Sequence, residues 1–176
     1  MSEQEQARVE QKLRYAKLHL EELVTAPSGR GDDFERSHHE AVLAQLAGAY
    51  DAFLCELNAV LGCGRKASDV SLGKLRDSLV KQGRSSTVLR RLYQMQQDKA
   101  CWLRQLQDLR HAATHRKAIP LAFRLGGPKD GKVAFRHPDT HEEMLAPASE
   151  TLTDWLKNMS ALFSELRGVA VSENAG

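Results

Sequence analysis

No apolar run in the 176-residue chain approaches the length of about 20 residues that crosses a bilayer. The first residues, MSEQEQARVEQKLR, lack the basic-then-apolar pattern of a secretory signal. Cysteine is scarce: Cys55, Cys63 and Cys101 are odd in number and contain no C-x-x-C pair, which argues against a disulfide framework and a thiolate zinc site. These absences predict a cytoplasmic protein with free thiols and no membrane association.

Motifs for phosphate loops and zinc hydrolases are also missing. The sequence has no G-x-x-x-x-G-K-[ST] loop and no H-E-x-x-H pattern. His38, His39, His111 and His115 are metal ligands by residue type, but no third ligand follows them at a defined spacing. We therefore predict no metal site and no cofactor, and nucleotide hydrolysis of the ATPase kind is disfavoured.

The composition is that of a globular protein. Hydrophobic residues make up 41% and charged residues 27% of the chain, which is too apolar for a disordered polypeptide. This length suits one domain with its own core. We predict a single helical domain over residues 1–170 and a flexible tail over 171–176.

Apolar residues recur at steps of three and four along most of the chain, which predicts amphipathic helices. The predicted helices cover about residues 2–24, 32–61, 68–82, 86–113 and 148–167. Between about residues 120 and 137 the period changes to two and Asp130-Gly131 marks a turn, which predicts a small β-hairpin. The predicted fold class is mainly α: an up-down helical bundle with a small β-hairpin between its last two helices.

The end of the predicted 86–113 helix carries polar residues, and one of them falls on the face where the helical period calls for apolar residues. Arg110 lies about 40° from Leu106 at about 100° per residue, inside the apolar stripe. Because arginine stays charged, it must pair with a carboxylate or face a wet cleft. His111 and His115 are four residues apart and can act as acids or bases near neutral pH. The alternative is that both are ordinary helix-end residues favoured by the helix dipole.

The stretch Arg110-His-Ala-Ala-Thr-His115 resembles the R-x(4–6)-H motif of HEPN domains (higher eukaryotes and prokaryotes nucleotide-binding). Those domains are all-α bundles that commonly dimerise, and the residue after their arginine is usually polar, as His111 is. Active members are mostly metal-independent ribonucleases whose two motifs meet in one cleft. The resemblance covers six residues and the helical layout, and it implies a homodimer that acts on RNA.

The resemblance also implies roles for single residues. His115 would be the general base or acid, Arg110 would hold the phosphate, and His111 would position or share protons. Arg110 and His115 are about 140° apart on an ideal helix, so one helix aims both at one phosphate only if it distorts or if two chains combine. A composite site at a dimer interface is therefore expected.

Some families of this kind pair the arginine with an acidic residue on an earlier helix. On the second predicted helix, Glu56 borders the apolar stripe, whereas Asp51 and Glu40 lie on its far side. Glu56 is therefore the predicted partner of Arg110 and the fourth candidate catalytic residue. The alternative is an ordinary surface glutamate.

Positive charge is concentrated beside the motif. Residues 110–137 carry seven Lys or Arg against one Asp, a local charge of +6 in a chain of net charge +2. Such a patch attracts polyanions, and the residues predicted to contact RNA are Arg116, Lys117, Arg124, Lys132 and Arg136. The alternative is a solvated surface, on which charges at the hairpin discourage edge pairing.

The leading hypothesis is a HEPN-like RNA-acting protein with a metal-independent endoribonuclease site at a dimer interface. The alternative from another class is a non-catalytic helical module that binds a protein partner or self-associates. In that alternative Arg110 belongs to a structural salt bridge and His115 is solvated.

Overall fold

The computed structural model describes residues 3–25, 32–115, 119–123 and 133–175, and all structural statements concern these residues. The described part is mainly α with a two-stranded hairpin between the last two helices, which confirms the predicted fold class. The elements are α1 Glu3–Thr25, α2 Asp32–Val60, α3 Leu72–Lys81, α4 Thr87–Gln97, α5 Trp102–His115, β1 Leu121–Phe123, β2 Val133–Phe135 and α6 Ala148–Ala175. None of the described helices combines the length and apolar character that a membrane-spanning segment requires.

Helices α1, α2 and α6 form the centre of the bundle. Lys12 contacts Gln45 and His19 contacts His38, so α1 and α2 run antiparallel. The apolar stripes of the three helices face one another, and the rings of Phe53 on α2 and Phe163 on α6 stack 4.2 Å apart. Truncating either ring would leave a cavity that costs about 3–5 kcal/mol. The core therefore fixes the faces that α2 presents to the rest of the fold.

The single helix predicted over residues 86–113 is wrong, because the structure has two helices there, α4 and α5. Asp98 has a backbone ψ of 108°, outside the helical range. Its carboxylate accepts a hydrogen bond from the Ala100 backbone N–H at 2.9 Å, and its carbonyl accepts one from the Cys101 N–H at 3.0 Å. An aspartate that bonds its own following backbone competes with the helix. The break lets α5 take its own direction across α2.

Helix α3 begins at Leu72, later than the predicted residue 68. Ser71 is its N-cap and accepts a hydrogen bond from the Lys74 N–H, while a single 3-10 turn over Ala67–Asp69 precedes it. Gly62, with a φ of +64°, ends the preceding helix in the left-handed conformation that glycine adopts without a steric cost.

Helix α6 continues to Ala175, beyond its predicted end near residue 167. Glu173 anchors this end: its carboxylate accepts hydrogen bonds from the Ser86 hydroxyl and the Thr87 N–H, both at 2.7 Å. The last turns of α6 are therefore joined to the N-terminus of α4.

The hairpin covers one end of the bundle. β1 pairs antiparallel with β2, with Leu121 opposite Phe135. Phe135 is fully buried and contacts His39 of α2 at 5.7 Å between ring centres. Burial and the neighbouring His38 lower the pKa of His39 to about 4, so this imidazole is neutral near pH 7. The predicted turn at Asp130-Gly131 lies outside the described residues.

Candidate functional site

A polar cleft of about 380 Å³ lies between α2 and α5. Leu103, Leu106 and Leu109 form the buried stripe of α5. The adjoining face of α5 supplies polar side chains to the cleft, and α2 supplies Tyr50 and Asp51. The polar residues that line it are Tyr50, Asp51, Arg104, Gln107, Asp108, Arg110 and His111.

Arg110 is exposed in this cleft and is not buried in the core stripe. Of the two surroundings expected from the sequence, a carboxylate or a wet cleft, the structure gives Arg110 an open cleft that Asp51 of α2 also lines. Helical phase gives the side of α5 on which Arg110 projects. It does not give which positions at the edge of the stripe are covered by a packing partner: Leu109 and Ala112 are buried, whereas Arg110 is exposed in the cleft.

Two opposing effects act on the Asp51 carboxyl group. Partial burial by the cleft walls raises its pKa, and the positive charge of Arg110 opposes that rise. The Asp51 and Arg110 side chains are both exposed to solvent. Tyr50 beside it is buried, and its hydroxyl accepts a hydrogen bond from the Gln96 amide at 2.9 Å. Burial and Asp51 raise the pKa of Tyr50, which keeps the phenol protonated.

His137 fixes the segment after β2 against α5. Its Nδ1 accepts hydrogen bonds from the backbone N–H groups of Asp139 and Thr140, at 3.2 and 3.3 Å. The proton of the neutral ring is therefore on Nε2, which lies 3.8 Å from an Asp108 carboxylate oxygen that also accepts from Arg104 Nε at 2.8 Å. The His137 ring therefore holds the backbone that follows it in place.

A smaller cavity of about 170 Å³ adjoins the polar cleft and is lined by Arg104, Asp108, His111, Ala112, Pro138 and Asp139. His111 borders both spaces. Its imidazole is therefore placed where a ligand held by Arg110 could exchange protons with it.

The structure places some of the predicted site residues in the cleft and others away from it. Arg110 and His111 share the cleft, and His115 is the last residue of α5, with its side chain outside the described part. Arg136 is exposed and forms an isolated β-bridge with Glu143. The remaining predicted RNA contacts lie outside the described residues: Arg116, Lys117, Arg124 and Lys132.

The predicted pairing of Glu56 with Arg110 is wrong. Glu56 is 1% exposed and accepts two hydrogen bonds from Arg167 of α6. It is therefore neither the partner of Arg110 nor a surface glutamate. Asp51, five residues earlier and so about 140° away on α2, is the carboxylate near Arg110. No local sequence signal connects residue 56 with residue 167, so a prediction from helical phase alone could not identify Arg167 as the partner of Glu56.

The free cysteines show no sign of nucleophilic activation. Cys63 is buried, and Cys55 and Cys101 are half-buried. Burial raises the pKa of the Cys55 and Cys63 thiols, which disfavours the reactive thiolate. All three cysteines are free, as the sequence analysis predicts.

A second polar cluster was not recognised in the sequence. His19 and Glu22 of α1 lie against His38 of α2, and one possible ligand atom from each falls within 4.8 Å of the others. The sequence analysis considers His38 with His39, His111 and His115, and not with His19 and Glu22. The missed signal was the three-residue spacing of His19 and Glu22, which places both on one helix face.

The fold and cleft define a small helical protein with a solvent-accessible ionisable site between α2 and α5. A family model described as "Family of unknown function (DUF6586)" matches residues 1–172, and the chain belongs to that family. No curated protein and no solved structure matches the chain.

Proposed function

We propose that this protein is a HEPN-like, RNA-acting homodimer that cleaves RNA without a metal ion. The observation that carries the proposal is that Arg110 and His111 line one open cleft with Asp51 beside the arginine. Some families of this kind carry an acidic residue on an earlier helix near the arginine, and we assign that role to Asp51 in place of Glu56. This arrangement of charged and proton-transferring groups suits a phosphodiester ligand.

The chemistry follows from the residue types. The 2′-oxygen of RNA loses its proton to an imidazole and attacks the adjacent phosphorus, and the bond from phosphorus to the 5′-oxygen breaks. A second imidazole protonates the departing oxygen, while Arg110 stabilises the charge on the phosphorane. The products are a 2′,3′-cyclic phosphate and a free 5′-hydroxyl. Asp51 orients the guanidinium through its charge, and His111 is the imidazole nearest the arginine in the cleft.

The second imidazole is His115, and we assign it to the partner chain. Helix α5 extends from Trp102 to His115, so both positions lie in one helix. Their directions differ by about 140° in such a helix. A two-fold dimer that joins two clefts would bring Arg110 of one chain to His115 of the other.

The test is cleavage of a mixed pool of structured and unstructured RNA in excess chelator. We expect Arg110→Ala and His111→Ala each to lower the cleavage rate by about 10²–10⁴-fold, the range for an oxyanion stabiliser or a general acid–base. Arg14→Ala, which removes an exposed arginine from α1, is the matched control and should cleave normally. Circular dichroism must show equal helicity in all variants. Wild-type protein that leaves every RNA intact would overturn the ribonuclease proposal.

A second candidate function, self-association without catalysis, is favoured by an apolar groove of about 650 Å³ between α1 and α6. Leu20, Val24 and Leu156 line it, and Val24 is 74% exposed. Lys17, Glu21 and Lys157 border it, so both signs of charge are present. A second copy of the chain is the occupant that fits, because a two-fold contact brings the lysines of one copy to the glutamate of the other.

Val24→Asp tests this candidate by sedimentation velocity. A dimer that uses the groove should dissociate, whereas Leu18→Asp, on another face of α1 and 54% exposed, should stay dimeric. A dimer that survives Val24→Asp does not use the groove. That result would direct attention to the α5 surface that the composite ribonuclease site requires.

A further inference from the structure

A cluster of metal-binding side chains joins α1 to α2 near the ends that flank residues 26–31. It consists of His19 and Glu22 on α1 and His38 on α2, with one ligand atom from each within 4.8 Å of the others. We propose that these three residues bind a divalent transition-metal ion of the Zn²⁺ type. The site is distinct from the α2–α5 cleft, and it needs no part of the ribonuclease proposal.

Helix geometry places the three side chains together. His19 and Glu22 are three residues apart, so both project from one face of α1. The antiparallel pairing of α1 with α2 brings His38 to the same level, and the His19 and His38 rings lie 5.4 Å apart between centres. Because all three side chains project from regular helices, their backbones are already fixed before an ion arrives.

The ligand types select the class of ion. Two imidazoles and one carboxylate are a known zinc set, whose fourth position is filled by water. Mg²⁺ and Ca²⁺ prefer all-oxygen sites and are disfavoured by two nitrogen ligands. Bonds of about 2.0–2.2 Å in a tetrahedron place ligand atoms about 3.4 Å apart. The possible ligand atoms lie within 4.8 Å of one another. Small torsional adjustments of the side chains would bring them to the separation that the ion requires.

A second observation concerns the His38 ring. Its Nδ1 is buried and has no hydrogen-bond partner among the described residues. A buried polar atom without a partner costs free energy, and coordination through Nδ1 would supply the partner. The Phe34 ring lies 4.3 Å from the His38 ring and forms an apolar wall on one side. Glu22 is exposed, so an ion can enter from solvent.

An ion at this site would connect the last turns of α1 with the first turns of α2. Ligands that bind the folded state and not the unfolded state stabilise the fold by mass action. We therefore expect Zn²⁺ to raise the Tm of the protein. The ion would cross-link the two helices.

The experiment is titration of the metal-free full-length protein with Zn²⁺ by calorimetry and with Co²⁺ by visible absorption. We expect one ion per chain, a Co²⁺ spectrum of low-coordinate nitrogen and oxygen ligation, and a higher Tm with Zn²⁺. His19→Gln and His38→Gln should each weaken binding at least tenfold, a typical cost of disturbing a metal site. His141→Asn removes a different, exposed histidine at a φ of 61° that asparagine tolerates, and it should bind as the wild type does.

Two results would overturn the proposal. One is the absence of stoichiometric Zn²⁺ binding to the wild-type protein. The other is unchanged affinity in both glutamine variants, which would mean that the ion binds elsewhere. The Tm of each variant without metal must match that of the wild type, so that weaker binding is not a consequence of misfolding. Displacement of the ion by millimolar Mg²⁺ would also count against the nitrogen ligands.

Discussion

Arg167 of α6 donates hydrogen bonds to both carboxylate oxygens of Glu56 on α2, from Nε at 2.8 Å and from Nη2 at 3.0 Å. Its Nη1 donates a third to Glu10 of α1 at 2.9 Å. One guanidinium therefore links the three central helices. The Glu56 side chain is 1% exposed, so its charge depends on this partner.

The first prediction concerns this buried pair. Glu56→Ala should lower the free energy of unfolding by about 3–5 kcal/mol, because the charge of Arg167 would remain partly buried without its main partner. Urea denaturation measures the change. Glu10→Gln, at the other carboxylate, is the control: the Glu10 side chain is 53% exposed, and its loss should cost under about 1 kcal/mol. Equal costs for the two variants would contradict the central role of Glu56.

The second prediction concerns Glu173, which joins α6 to the start of α4. Partial burial raises its pKa, but the hydrogen bonds from Ser86 and Thr87 outweigh that effect and hold the pKa below 4.5. A carboxyl group with a lowered folded-state pKa stabilises the protein above pH 4.5, and the stabilisation is lost as the pH falls through the folded-state value. Glu173→Gln should therefore cost about 1 kcal/mol at pH 7 and progressively less below pH 4.5.

Urea denaturation across this pH range measures the effect of Glu173→Gln. Ser86→Ala removes one donor, so the double variant should cost less than the sum of the single variants. Additive costs, or a cost that does not change with pH, would show that the carboxylate does not stabilise the start of α4.

The third prediction concerns the charge interaction in the cleft. Removing Arg110 takes away the effect that lowers the pKa of Asp51 and leaves the effect of burial, which raises it. Arg110→Ala should therefore raise the pKa of Asp51, as measured by NMR titration of the carboxyl carbon. Arg14→Ala should leave that pKa unchanged. If Asp51 titrates identically in all three proteins, its pKa does not depend on the charge of Arg110.

The fourth prediction tests whether the ribonuclease site is composite. Arg110→Ala and His115→Ala chains are each expected to be inactive alone. Mixed and allowed to exchange, they form heterodimers in which one of two sites has both residues intact, so activity should return to about a quarter of the wild-type level. A mixture that stays inactive although exchange is demonstrated would mean that Arg110 and His115 act within one chain.

The helical positions of this protein could be predicted from its sequence because burial of apolar stripes leaves a local periodic signal. Helix α2, the hairpin and the mainly α class followed from that signal. The break at Asp98 did not, because the apolar period continues across it while a single side-chain hydrogen bond ends the helix. The extent of α6 was also missed, since Glu173 is held by Ser86 and Thr87 on α4.

Part of the candidate site could likewise be predicted from the sequence, and part depended on the tertiary structure. The sequence alone determined that Arg110 falls within the apolar stripe of its helix and that His111 follows it, because helical phase is a local property. Only the tertiary structure decided that Asp51 lies near Arg110, that Glu56 belongs to Arg167, and that His38 meets residues of α1. Each of these contacts joins residues that are far apart in the sequence, and several other charged residues on the same helices could have made it. The choice depends on which helix packs opposite them and how far along that helix the contact extends, and periodicity within one segment contains no information on either.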